Sequence, residues 1–180
     1  MLIADRQKLR QELIRLHVVA ASDTEEDQTV KLQVRDAVVL AFQAELQNLQ
    51  DIDQARAYLQ ENLPKIEAVA NDVLEQAGFP DRAKVSLCLE EFKTRMYDTF
   101  TLPAGLYESL RIVIGEGEGQ NWWCVVFPSL CLPATTDGFE DVACGAGFST
   151  TLTDTLEGKH EIRFFFLDAL GSLENFLHRG

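Results

Sequence analysis

A cysteine beside a histidine can act as a nucleophile once the imidazole takes the thiol proton. In this sequence that pair would be Cys124 and His17, with Glu116 as a third working group. The surroundings argue against it. Cys124 sits in an apolar run, Trp122-Trp123-Cys124-Val125-Val126-Phe127, where burial raises a thiol pKa instead of lowering it. His17 lies in another apolar run and reads as a half-buried, satisfied side chain. Cys124 therefore reads as a buried structural cysteine or as half of a disulfide. There is no Ser-centred nucleophile elbow.

Just before these residues comes Gly115-Glu116-Gly117-Glu118-Gly119-Gln120-Asn121. Its glycines invite a phosphate-cradle reading, but the dinucleotide fingerprint is incomplete and the P-loop lysine and hydroxyl are missing. Glu116 and Glu118 would repel phosphate, and a strand, not a helix N-terminus, follows. With Asn121 the two glutamates supply three oxygen ligands, short of the six to eight that calcium takes. Trp122 and Trp123 are the only two tryptophans. Neighbours on a strand point to opposite faces, so either this strand is buried on both sides or one indole is offered for contact. Arg111, Glu116, Glu118, Asn121, Trp122 and Trp123 together form a candidate partner-binding patch of the aromatic and charged kind that anchors protein interfaces.

The elements that would position these groups follow from hydrophobic period. Ile14, Leu16 and Val18 alternate on one face of a short strand. Ser22-Asp23-Thr24-Glu25 reads as a capping box with Ser22 at the N-cap, opening a helix to about Leu49 along Val30, Val34, Val38 and Leu46. Asp51 opens a second helix with Ala55 and Leu59 inward. Pro64 fits the first turn of a third, striped by Ile66, Val69 and Val73 and ended by Gly78 and Pro80. Val85, Leu87 and Leu89 then alternate with Ser86, Cys88 and Glu90, and a further strand is expected over residues 94–100. Leu102-Pro103-Ala104-Gly105 is a turn. The runs on either side of the glycine loop read as a hairpin. Residues 133–160 read as a long loop or partly mobile segment, and Phe166, Leu170, Leu173 and Phe176 mark a C-terminal helix. The expected class is α+β, a single domain over residues 1–180. It has a mostly antiparallel sheet of four to five strands and about four helices mainly on one face.

A net charge of −13 over 180 residues argues against nucleic acid and anionic lipid as partners. No stretch reaches the ~20 apolar residues of a membrane span. The first residues lack the basic and apolar regions of a signal peptide, so the chain reads as cytosolic, or as one whose export segment was removed. The four cysteines (Cys88, Cys124, Cys131, Cys144) form no CxxC pair and the three histidines are scattered, which leaves no zinc site. No metal or cofactor is expected. A chain reversal at Pro128 would bring Cys124 and Cys131 together, as a disulfide or as two buried thiols. Cys88 and Cys144 have no assigned role.

Two blocks carry a family resemblance. Ile14-Arg15-Leu16-His17-Val18-Val19-Ala20-Ala21-Ser22-Asp23, with Lys31-Leu32 and Val34-Arg35-Asp36-Ala37-Val38, is similar to the first block of the stage II sporulation protein R family. The second block runs from Leu102-Pro103-Ala104-Gly105-Leu106-Tyr107-Glu108 through Gly115-Glu116-Gly117 and Asn121-Trp122-Trp123-Cys124-Val125-Val126-Phe127-Pro128 to Cys131. Leu106 departs from an acidic residue common there. The resemblance implies a signalling protein, not an enzyme, exported from the forespore into the space between forespore and mother cell. Its partner would be a membrane-embedded aspartic protease of the mother cell, which cleaves a sigma-factor precursor. The patch around residues 114–123 would meet that protease, with a Cys124–Cys131 bridge bracing the strand behind it. The competing reading is an extracytoplasmic hydrolase acting on peptide or cell-wall material through Cys124 and His17.

Overall fold

The alternation Ile14, Leu16, Val18 produces the expected strand, β1 (Ile14–Val19), with all three side chains fully buried. The computed structural model describes residues 10–96 and 101–128. Residues 10–12 are helical and precede β1. After β1 come α1 (Glu25–Gln47), α2 (Ile52–Gln76), β2 (Ala83–Phe92), β3 (Arg95–Met96), β4 (Thr101–Leu102), β5 (Gly105–Ile114) and β6 (Asn121–Phe127). The class is α+β, as expected. The sheet runs β2–β5–β1–β6, and β3–β4 forms a separate two-stranded ribbon. It is mixed instead of simply antiparallel, because its central pair, β1 with β5, is parallel. The expected C-terminal helix, the loop over residues 133–160, residues 97–100 of the expected strand, Cys131 and Cys144 lie outside the described residues.

Three local expectations are corrected. The first concerns the hairpin. Strands β5 and β6 do not pair with each other, because β1 lies between them. Residues 115–120 therefore arch over the end of β1 instead of turning tightly. Gly119 N–H donates to Ala20 O at 3.0 Å, Glu118 N–H to Ala21 O at 3.2 Å, and Ala20 N–H to Gln120 O at 3.4 Å. The arch is glycine-rich for this reason. Gly115 and Gly117 take φ of 57° and 67°, the left-handed region that glycine enters without penalty. At Gly119 a Cβ would strike the Ser22 carbonyl oxygen.

The second concerns the start of α1. The N-cap is Thr24, not Ser22. Thr24 has extended backbone, and its hydroxyl accepts from Asp27 N–H at 3.2 Å. Ser22 stays out of the helix because the arch lies against its backbone and Gln28 Nε2 donates to its carbonyl at 2.9 Å. Its hydroxyl donates to Asp27 instead.

The third is Pro64, which sits inside one continuous helix, α2. An interior proline costs about 3 kcal/mol. Ala55, Leu59, Ile66, Ala70 and Leu74 are all buried along one stripe that runs through it. Burying a leucine or isoleucine is worth about 1.5–3 kcal/mol each, so the shared stripe outweighs the break.

Both helices cover one face of the sheet, and their buried residues join Leu16, Leu110, Ile112 and Val126 in the core. Helix α2 also guards the free edge of β2. Asn71 Oδ1 accepts from Ala83 N–H at 2.9 Å, its Nδ2 donates to Ala83 O at 3.1 Å, and Glu67 Oε2 accepts from Val85 N–H at 3.0 Å. An unguarded edge strand would offer those groups to another chain. Among the described residues no helix is long and apolar enough to cross a membrane.

Candidate functional site

The other face of the sheet is polar and aromatic. In each strand the residues alternate with those of the core. The Cα register therefore sets Ser86, Arg111, His17 and Trp123 in one row across all four strands. His17 is the hub. Its Nδ1 donates to Glu90 Oε1 and Oε2 at 3.0 and 3.1 Å, and its Nε2 lies 2.7 Å from Asn121 Oδ1. The ring stacks on Trp123, centroids 5.5 Å apart and planes 21° apart, and meets the edge of Phe92 at 6.1 Å. Glu90 is shared, since Arg111 Nε lies 3.3 Å from Oε1. Arg95 lies over the Trp123 ring at 3.7 Å. On the same face Arg15 is fully buried, with its guanidinium 3.9 Å from the Phe92 centroid and 5.2 Å from that of Tyr107.

The expected patch is therefore divided. Arg111, Asn121 and Trp123 come together on this face. Trp122 points the other way, 37% exposed, with Arg35 of α1 over its ring at 4.2 Å. Glu116 and Glu118 are exposed on the arch. The strand carrying the two tryptophans is thus faced on both sides, and Trp122 remains the more accessible indole.

The Cys124–His17 dyad is not assembled. Cys124 aligns with Leu16 and joins the helix-side core, whereas His17, one residue on, points to the opposite face. Both ring nitrogens of His17 are already engaged. Cys124 is buried, and Cys88 is a free thiol. Among the described residues no group of three His, Cys, Asp or Glu could hold a metal ion.

Glu90 and Arg95 were missed as site residues. Glu90 was visible only as a polar position in the β2 alternation, and nothing in the sequence joins it to His17, 73 positions away. Arg95 stands alone in sequence, and only the ribbon brings it to Trp123.

A family model described as Stage II sporulation protein R (spore_II_R) matches residues 10–137. The chain belongs to the stage II sporulation protein R family. It is 37% identical over 125 residues to the Stage II sporulation protein R of Bacillus subtilis (strain 168). That match covers 69% of this chain and 56% of the relative, so the chain spans little more than half of the curated protein it resembles. No solved structure matches. The matched part takes in every strand of the four-stranded sheet among the described residues.

The His17–Glu90 contact has a measurable signature in this family member. Burial alone would raise the Glu90 carboxyl pKa, but the hydrogen bonds from His17 and Ser109, with the charges of His17 and Arg111, together outweigh it and hold it below the usual value of 4.5. A carboxyl lowered in the folded state stabilises above its unfolded pKa, and that contribution is lost as pH falls through the folded value. Glu90→Gln is therefore expected to cost about 1–2 kcal/mol at neutral pH. The gap to wild type should shrink as pH drops below 4.5. Urea unfolding at pH 7 and at about pH 3 reads this directly. An equal gap at both would show that the charge on Glu90 plays no part.

Proposed function

We propose that this chain is a signalling protein of sporulation that acts by binding. In this reading it works in the space between forespore and mother cell, where it engages a membrane-embedded aspartic protease. That engagement triggers cleavage of an inactive sigma-factor precursor. Membership of the stage II sporulation protein R family carries the reading. The site geometry supports a binding role over the hydrolase alternative, because Cys124 and His17 point to opposite faces of the sheet. A disulfide between Cys124 and Cys131 would suit an oxidising extracytoplasmic setting, and mass mapping of the bridge tests that part.

The function is tested by adding the purified chain to liposomes holding the protease and following conversion of the precursor. Wild type should stimulate conversion. Trp122→Ala should abolish or sharply reduce it while leaving unfolding free energy within about 1 kcal/mol of wild type, since an exposed indole contributes little to the core. Trp123→Ala and Glu116→Ala are expected to lose stimulation as well. Three variants that simply unfold, or three that signal normally, would refute the patch. A wild-type chain that leaves conversion unchanged would refute the function.

A further inference from the structure

Lys31 of α1 is only 5% exposed. Burial and the nearby Arg35 push its pKa below the ordinary 10.5, while Asp23 draws it back up. A lysine held this way costs stability unless its donors are well used. Its Nζ donates to Gln28 Oε1 and, at 3.2 Å, to the backbone oxygen of Gln120. The N–H of the same Gln120 donates to Asp23 Oδ1 at 2.7 Å. Gln120 is therefore gripped by an anion at its N–H and by a cation at its carbonyl. Bonds to charged groups are stronger than those between neutral ones. Gln120 is the last residue of the arch, and Asn121 and Trp122 follow it directly into β6. One turn along α1 from Lys31, Arg35 lies over the Trp122 ring. The other foot of the arch is held by an uncharged bond, Gly115 N–H to Arg82 O at 3.0 Å.

We propose that Asp23 and Lys31 are positioning residues, which clamp Gln120 between opposite charges and so hold Trp122 in the pose that the partner meets. The role of Trp122 rests on the function proposed above, but the clamp itself does not. A preformed contact surface binds more tightly, because less ordering remains to be done on binding. A buried lysine that served stability alone would be replaced without loss by an apolar side chain of similar length. The clamp predicts that such a replacement loosens the entry to β6 and leaves the rest of the fold intact.

Lys31→Met and Asp23→Ala in the full chain test this. In Lys31→Met, exchange of the Gln120 amide should quicken about tenfold although its own acceptor, Asp23, is untouched. The Gly115 amide should exchange as in wild type, and the urea midpoint should be unchanged or raised. In chains labelled with fluorotryptophan, the Trp122 resonance (assigned through Trp122→Phe) should move in both variants, and that of Trp123 should not. In the liposome assay either variant should need about tenfold more chain for half-maximal conversion, yet reach the wild-type maximum. Asp23→Asn, which keeps the acceptor oxygen, should fall between. If Lys31→Met does not fold, Asp23→Ala carries the test through the Trp122 resonance and the Ala20 amide, which donates to Gln120 O. Unchanged exchange and resonances overturn the clamp, as does exchange that quickens equally at Gly115 with a lowered urea midpoint. Half-maximal conversion at the wild-type concentration overturns the positioning role. A wild-type chain without stimulation sinks the signalling function, and the exchange and fluorine readouts still decide the clamp.

Discussion

Gly119→Ala is expected to destabilise the fold by about 3 kcal/mol or more, the largest effect of any single methyl group added to the arch. A Cβ there would meet the carbonyl oxygen and carbon of Ser22 and would lie 3.0 Å from Ala20 Cβ. Two of these are backbone atoms, fixed by Gly119 N–H donating to Ala20 O and by Gln28 donating to Ser22 O. Relief therefore requires moving the start of α1 or the end of β1. Gly117→Ala should cost less. Its Cβ would meet Val113 Cγ1 at 2.7 Å, a side chain that can turn, although its φ of 67° adds strain. Gly78→Ala calibrates the series, with φ of 75° and open space around it, so its cost is conformational and about 1 kcal/mol. Urea unfolding followed by tryptophan fluorescence ranks the three. If Gly119→Ala falls within 1 kcal/mol of Gly78→Ala, the crossing is looser than described.

Leu110→Ala should cost about 3–5 kcal/mol. Leu110 is fully buried at the centre of β5 and lines a small apolar gap with Phe42, Leu46, Leu59 and Val126. Truncation enlarges that gap between two long helices and a paired strand, neither of which can collapse freely, so the cavity cost adds to the lost transfer energy. Leu40→Ala on the outer side of α1, where the residue is 75% exposed, should stay within about 0.5 kcal/mol. Against a total stability of about 5–15 kcal/mol for an ordinary domain, the first change separates from the second in a single denaturation series. A Leu110→Ala chain as stable as Leu40→Ala would mean that the sheet–helix interface is not the main core.

Much of the secondary structure was legible because it depends on local pattern. Ile14, Leu16 and Val18 alternate, and the α1 stripe through Val30, Val34, Val38 and Leu46 keeps helical spacing. Local rules failed where a distant segment imposed its own demand. Ser22 has the chemistry of an N-cap, but the arch takes its backbone, so the cap passes to Thr24. Pro64 has the chemistry of a helix start, but the stripe on either side faces one surface. The glycines look like a hairpin turn because nothing in residues 110–127 reports that β1 will lie between the two strands. The site follows the same division. Arg111, Asn121 and Trp123 are singled out by type and spacing, and the fold brings them to one face. Their link through His17 to Glu90 depends on register across three strands, which no single segment encodes. Arg15 gave one unread signal, a charge that shares the His17 face of an otherwise apolar strand and is nonetheless fully buried.

The place of β1 also sets the order in which the molecule can be completed. It precedes both of its neighbours in the chain, and Ile14 must wait for Glu108 on one side and Phe127 on the other. Pairings so distant in sequence slow folding, because a long loop must close before any contact repays it. The α1–α2 pair, local in sequence, can form early and offer an apolar platform while β1 still lacks both hydrogen-bonding neighbours. A chain interrupted before β6 would expose one whole edge of its most buried strand, the kind of edge that recruits other chains. The segment bearing both tryptophans is thus also the piece that covers the second edge of β1.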